Sequence, residues 1–100
     1  MIKHIVVWTL KDEALGASKA ENLVRVKQEI EALRETVPGI HYLEVGCDIG
    51  AVEGSCDIAI YSEFETREAL DAYQAHPEHE KVKALLAEVR DLRAAIDYEI

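Results

Sequence analysis

The first strand predicted from this sequence is apolar on both of its faces. Residues 2–10 are rich in β-branched side chains, and apolar residues occur at odd as well as even positions. A strand with one side in water would alternate instead between apolar and polar residues. The pattern therefore predicts a central strand that is covered on both sides, which is a strong restriction on a chain of 100 residues.

The rest of the chain divides into helical and strand patterns, which are separated by turn residues. A capping-box spacing, apolar residues at helical intervals and period-two alternation identify these segments. In chain order they are a helix after Ser18, strands over residues 40–49 and 56–64, a helix that Pro77 divides in two, and a strand over residues 92–100. The last strand has one side that is more polar than the other.

This order of elements is that of a split β-α-β, ferredoxin-like subunit. The expected fold class is α+β, with one domain over residues 1–100 and a four-stranded antiparallel sheet that carries its helices on one face. The other face of the sheet is then bare. If it is apolar, a second copy is its natural cover, so we expect a homodimer in which two sheets form a dimeric α+β barrel.

The charge balance disfavours some classes of partner. The chain has 20 acidic and 11 basic residues, for a formal charge of −9. Such a charge repels phosphate backbones and anionic lipids, so no nucleic acid and no membrane is expected as a partner. No apolar run reaches membrane-spanning length, and the N-terminus is predicted to be a strand rather than a secretion signal. We therefore expect a cytoplasmic protein.

Two familiar kinds of reactive motif are missing from the sequence. Cys47 and Cys56 form neither a disulfide framework nor a redox pair, although a bridge between them across a hairpin is left open. Both are predicted to pack as small hydrophobes in strands. There is also no glycine-rich phosphate loop, nucleophile elbow or dinucleotide fingerprint. Phosphoryl transfer and nicotinamide chemistry are disfavoured.

The segment from Tyr73 to His79 gathers a phenol, two imidazoles and a carboxylate around one proline. Pro77 predicts that one helix ends at His76 and that another begins there, with His79 in its first turn. The positive end of the helix dipole favours the neutral imidazole, which can accept a proton. An ordinary helix start is the alternative interpretation. A metal site is not expected, because Pro77 breaks the register between the two histidines.

Several segments along the chain match the pattern of one known family. They are Met1–Lys11, Pro38–Ile40, Cys56–Ala59, Phe64–Thr66, Ala69–His79 and Ile96–Tyr98. Together they resemble the stress-responsive dimeric α/β-barrel (Dabb) family, over essentially the whole chain. The Tyr-x-x-His-Pro-x-His string is the most specific part of the match. The resemblance implies a ferredoxin-like subunit and an intimate homodimer, and it implies much less about chemistry.

One branch of that family, the plant olivetolic acid cyclase, closes a linear polyketide by aldol condensation without cofactor or metal. The resemblance implies that His79 would be the base, that Tyr73 would hold the substrate carbonyl and that His4 would line the pocket. This chain differs from the cyclase at Asp57, where the cyclase has a histidine. The difference argues against the cyclase's own substrate.

The sequence thus predicts a site and leaves its function open among three hypotheses. The first is a stress-response protein with a small, partly apolar ligand pocket between sheet and helices. The second is a cofactor-free lyase or cyclase acting on a β-keto or polyketide-like compound, and the third is an assembly protein without a ligand. The candidate catalytic residues are His79, Tyr73 and His4, and the candidate ligand contacts are Trp8, Asp57 and His76.

Overall fold

The predicted order of elements is confirmed by the computed structural model, which describes residues 1–50 and 52–100. The strands and helices, in chain order, are β1 (Ile2–Leu10), β2 (Glu13–Ala14), β3 (Ala17–Ser18), α1 (Lys19–Glu31), α2 (Leu33–Thr36), β4 (Tyr42–Cys47), β5 (Ile58–Phe64), α3 (Arg67–Ala75), α4 (Pro77–Val89) and β6 (Arg90–Glu99). The fold is ferredoxin-like and of the α+β class. The short β2–β3 hairpin was not predicted, since two-residue strands are too short to show alternation.

The main sheet is antiparallel, with the strand order β4-β5-β1-β6. Strand β1 lies between β5 and β6, as its two-sided apolar sequence predicts. Its even-numbered residues are buried beneath the helices, and Lys3, Ile5, Val7 and Thr9 are half-buried on the opposite face. The helices therefore cover one face of the sheet.

Local signals explain where the first helix begins and how the chain leaves it. Ser18 caps α1 and forms the predicted capping box with Glu21. The predicted helix runs in two pieces, because α1 ends at Glu31 and the short α2 follows. Gly39, with a φ of 87°, adopts the left-handed conformation that turns the chain toward β4.

The break between α3 and α4 has the predicted geometry. The Thr66 hydroxyl caps α3 by accepting a hydrogen bond from the Ala69 amide at 3.1 Å. His76 ends α3 and caps α4, since its Nδ1 accepts a hydrogen bond from the Glu78 amide at 3.1 Å. Pro77 occupies the first turn of α4, where its missing amide hydrogen costs no helical bond. The break therefore follows from local chemistry alone.

The hydrophobic core lies between the helices and one face of the sheet. Its sheet side includes Val6, Trp8, Ile58, Ile60 and Phe64, and its helix side includes Val26, Ile30, Leu70, Val82 and Leu86. Fully burying such a side chain contributes about 1.5–3 kcal/mol. Both cysteines are free thiols. No helix in the described parts of the chain is both long and apolar enough to cross a membrane.

Strand β6 presents its apolar side away from the helices. Register with β1 pairs Ile96 with Ile5 on the bare face, where Ile96 is 58% exposed. The more polar side of β6, with Arg93 and Asp97, faces the same way as the helices. The edge of the helix-covered layer is consequently charged.

Candidate functional site

A cavity of about 520 Å³ opens between the sheet and the helices. Strand β1 forms its floor, and one face of α4 forms a wall. The apolar lining is Val6, Trp8, Ile30, Ile60, Val82, Leu86 and Ala87, and the polar lining is His4, Tyr73, Gln74, His79, Lys83, Arg90 and Arg93. The volume is within the range of about 300–1,000 Å³ typical of small-molecule sites.

Three residues that the sequence predicts as a site meet in this cavity. Tyr73 lies between the two imidazoles, with its ring centroid 6.1 Å from that of His4 and 4.5 Å from that of His79. His4 is 3% exposed and Tyr73 is 2% exposed. They come from β1, α3 and α4, so only the folded chain brings them together. Their chemical roles stay predictions.

His79 is held in one orientation by the preceding helix. Its Nδ1 lies 3.2 Å from the carbonyl oxygen of Gln74. Since a carbonyl oxygen can only accept, Nδ1 carries the hydrogen and Nε2 keeps the lone pair. Burial lowers the pKa of His79; the Gln74 hydrogen bond opposes that shift, and the nearby Lys83 charge adds to it. The neutral, proton-accepting ring is thereby favoured.

Tyr73 is suited to donating a hydrogen bond rather than to ionising. Burial raises the pKa of its phenol well above the ordinary value, because the phenolate would lose its hydration. The ring also packs against Phe64, with centroids 5.0 Å apart. Tyr73 therefore stays protonated between the two histidines.

Asp97 is a site residue that sequence reasoning missed. It faces His4 across the β1–β6 pairing, and its carboxylate forms a hydrogen bond with Nδ1 of His4. The bond orients the imidazole at the cavity floor. The only sequence signal for Asp97 was its place on the polar side of the last strand. Alternation within that strand does not reveal which residue of β1 lies opposite Asp97.

The three predicted ligand contacts lie in different places. Trp8 lines the cavity. Asp57 lies outside this lining, where its carboxylate accepts a hydrogen bond from the Leu10 amide at 2.8 Å and lies 3.4 Å from Nζ of Lys19. His76 also lies outside the lining, because its ring nitrogen caps α4. Asp57 and His76 thus form hydrogen bonds to the backbone that stabilise the fold.

Three cations at the cavity were also missed. Lys83 lies on the same face of α4 as His79, Arg90 is the first residue of β6 directly after α4, and Arg93 lies further along β6. Lys83 could have been found from its spacing, since it lies four positions after His79 and residues three or four apart share a helix face. Within residues 1–50 and 52–100, no three His, Cys, Asp or Glu side chains are placed to hold a metal ion together.

The family model of the stress responsive A/B barrel domain, Dabb, matches residues 2–100. The chain belongs to the Dabb family. The family assignment predicted from the sequence segments is therefore confirmed. No curated protein sequence matches this Dabb domain significantly.

Solved structures share this fold over nearly the whole chain. A dimeric protein of unknown function and ferredoxin-like fold from Bacteroides fragilis is 37% identical, with a TM-score of 0.81 over 99% of this chain and 95% of that one. A dimeric ferredoxin-like protein of unknown function from Thermobifida fusca is 23% identical, with a TM-score of 0.86 over 99% and 90%. A hydroxynitrile lyase from Passiflora edulis is 16% identical, with a TM-score of 0.81 over 99% and 92%, and it shares the fold alone.

Proposed function

We propose that this Dabb domain works as a homodimer and binds a small, partly apolar organic molecule in the cavity of each subunit. The observation that carries the proposal is the convergence of His4, Tyr73 and His79 on a cavity that is partly apolar, with seven apolar side chains in its lining. An apolar lining supplies affinity, and a few polar atoms fix orientation. An assembly protein without a ligand has less support, since His79 borders this cavity rather than open solvent.

The homodimer is supported by the bare face of the sheet and by the structural neighbours. Val7, Ile5 and Ile96 lie on that face without helices over them. The relatives from Bacteroides fragilis and Thermobifida fusca are described as dimeric. An interface of an obligate dimer would bury about 2,000 Å² or more in total. A second sheet packed on this face is the simplest cover.

The ligand proposal can be tested with a neutral β-diketone, acetylacetone, as the probe. The chain has one tryptophan, Trp8, and it lines the cavity. Titration should therefore shift the Trp8 indole and the His4 and His79 ring signals in NMR spectra, and leave the signals of the bare sheet face unmoved. Shifts confined to residues outside the cavity would contradict the proposal.

A second candidate function is proton abstraction from a carbon next to a carbonyl group. Nε2 of His79 would take the proton, the electron pair of the C–H bond would move into the enolate, and the Tyr73 hydroxyl would donate a hydrogen bond to the enolate oxygen. The neutral His79 and the protonated Tyr73 favour this candidate. Polyketide cyclisation, which the resemblance to the cyclase implies, stays a prediction.

The chemical candidate has its own measurement. In D₂O, a proton removed by His79 can be replaced by deuterium, so the protein should accelerate exchange at the central carbon of acetylacetone. A rate equal to that of buffer with free imidazole at the same concentration would exclude this candidate and leave the binding proposal in place.

A further inference from the structure

The cavity of this strongly acidic chain is bordered by three cations. The formal charge is −9, yet Lys83, Arg90 and Arg93 all line the cavity. Lys83 is paired with Glu80 at 3.6 Å. Within residues 1–50 and 52–100, neither arginine belongs to an ion pair. Two positive charges are thus available to a ligand.

We propose that the ligand carries a carboxylate, and that Arg90 and Arg93 bind it. This inference rests on the proposed ligand-binding function and adds the chemical class of the ligand. The planar guanidinium group matches a carboxylate with two parallel hydrogen bonds, which makes arginine a selective partner for that group. Arg90 is half-buried, which strengthens such a bond relative to one in open water.

A β-bulge places both arginines on the same side of the sheet. Arg93 lies opposite Trp8 and Arg90 lies opposite Leu10, so β6 has one extra residue between these two pairs. In a regular strand, residues three positions apart point to opposite faces. The bulge reverses this, because the extra residue re-aims one side chain. Both guanidinium groups consequently border the cavity.

The arginines lie at the end of the cavity away from the histidines. Arg93 lies opposite Trp8 on β1. Trp8 is about 13 Å from His4 along this strand, at a rise of about 3.3 Å per residue. His79 is about 15 Å along α4 from Val89, the residue before Arg90, at about 1.5 Å per residue. The ligand is therefore elongated, with its carboxylate at the arginines and its other polar group near Tyr73. Val6 and Leu86 line the apolar space between them.

The probes for this inference are octanoate, its neutral analogue octanamide, and octyl phosphate. Calorimetric titration of the unaltered protein should show octanoate binding about tenfold or more tightly than octanamide, because a charge-assisted bond is the difference between them. Added salt should weaken octanoate binding and leave octanamide binding unchanged. This comparison uses the unaltered protein, so it does not depend on any variant folding.

Variants then assign the selectivity to the two arginines. Arg90→Gln combined with Arg93→Gln should bring octanoate affinity down to that of octanamide, and Lys at both positions should restore part of it. Arg25→Gln is the matched control, since Arg25 is exposed on α1 away from the cavity and its replacement changes the net charge equally per site. A loss of octanoate affinity in Arg25→Gln comparable with that in the double Gln variant would overturn the assignment.

The remaining outcomes are also decisive. Equal affinity for octanoate and octanamide would overturn the carboxylate proposal and leave the ligand pocket standing. Tighter binding of octyl phosphate that the double variant abolishes would assign the arginines to a phosphate instead. If neither the carboxylate nor the amide bound, both this inference and the proposed binding of a small apolar molecule would be wrong.

Discussion

The two faces of the sheet differ in what covers them, although both include apolar side chains of β1. On the helix side, the even residues of β1 are buried, and they include both core side chains and His4 at the cavity floor. On the other side, Ile5 and Val7 are half-buried, and their neighbour Ile96 is largely exposed. Apolar character alone does not distinguish the faces. The faces differ because the helices of the same chain cover only one of them. Alternation along the strand assigns each side chain to one face or the other.

The bare face is apolar in its centre and polar at one end. There Lys3 forms an ion pair with Glu63, and the Tyr61 hydroxyl donates a hydrogen bond to the same carboxylate at 2.5 Å. The hydrogen bond with Glu63 raises the pKa of Lys3 well above its ordinary value, and Lys3 lowers the pKa of Glu63. Because both groups are only partly buried within the subunit, we expect this cluster to influence the orientation of the second subunit more than the stability of the fold.

The largest expected effect comes from placing a charge on the helix side. Val6→Asp would put a carboxylate at a position that is 2% exposed. Burying an unpaired charge costs several kcal/mol, which is comparable with the total stability of about 5–15 kcal/mol for a domain. We expect loss of the folded state, measured as loss of the cooperative thermal transition in circular dichroism. A Val6→Asp protein of unchanged stability would place Val6 outside the core.

The neighbouring substitution should act on assembly instead. Val7→Asp puts the same charge on the bare face, where it would oppose the second subunit by several kcal/mol of association free energy. We expect a folded monomer, seen as one mass in analytical ultracentrifugation and a retained circular dichroism spectrum. A stable dimer of Val7→Asp would show that a different surface forms the interface.

A smaller effect, confined to function, is expected at the cavity. His79→Gln keeps a side chain that can hydrogen-bond and removes the base, so catalysed deuterium exchange should fall by about 10²–10⁴-fold. Stability should change little, because His79 is only half-buried. His41→Gln, at an exposed histidine outside the cavity, is the matched control. Undiminished exchange in His79→Gln would remove His79 as the base and leave His4 as the residue to test.

The smallest effect is a shift in the pH profile. Burial lowers the pKa of His79, so the neutral base persists to lower pH than an exposed histidine would, for which the pKa is about 6.5. Exchange should therefore stay constant above about pH 6.5 and fall only as the pH drops through the lower pKa of His79. The rate is measured across this range by NMR. A midpoint above 6.5 would contradict the assignment of His79 as a buried neutral ring.

Local chemistry made much of the architecture predictable. The Ser18–Glu21 capping box and the Pro77 break depend on neighbours within one helical turn, and both are as predicted. The position of β1 at the centre of the sheet followed from its two apolar faces. Tyr73 and His79 could be suggested as partners because they flank that same break. The prediction of their chemistry still depends on the resemblance to the Dabb family.

The alternation of β1, the caps and the proline break are properties of short segments, so the sequence by itself determined the main strands and helices, their order and the two-sided central strand. Pairing between distant strands decided the rest. The register set Asp97 against His4, and a β-bulge brought Arg90 and Arg93 to one cavity. Such contacts join residues far apart in the chain, and a shift of one position would turn each side chain to the other face. Only the packed sheet and helices fix that register.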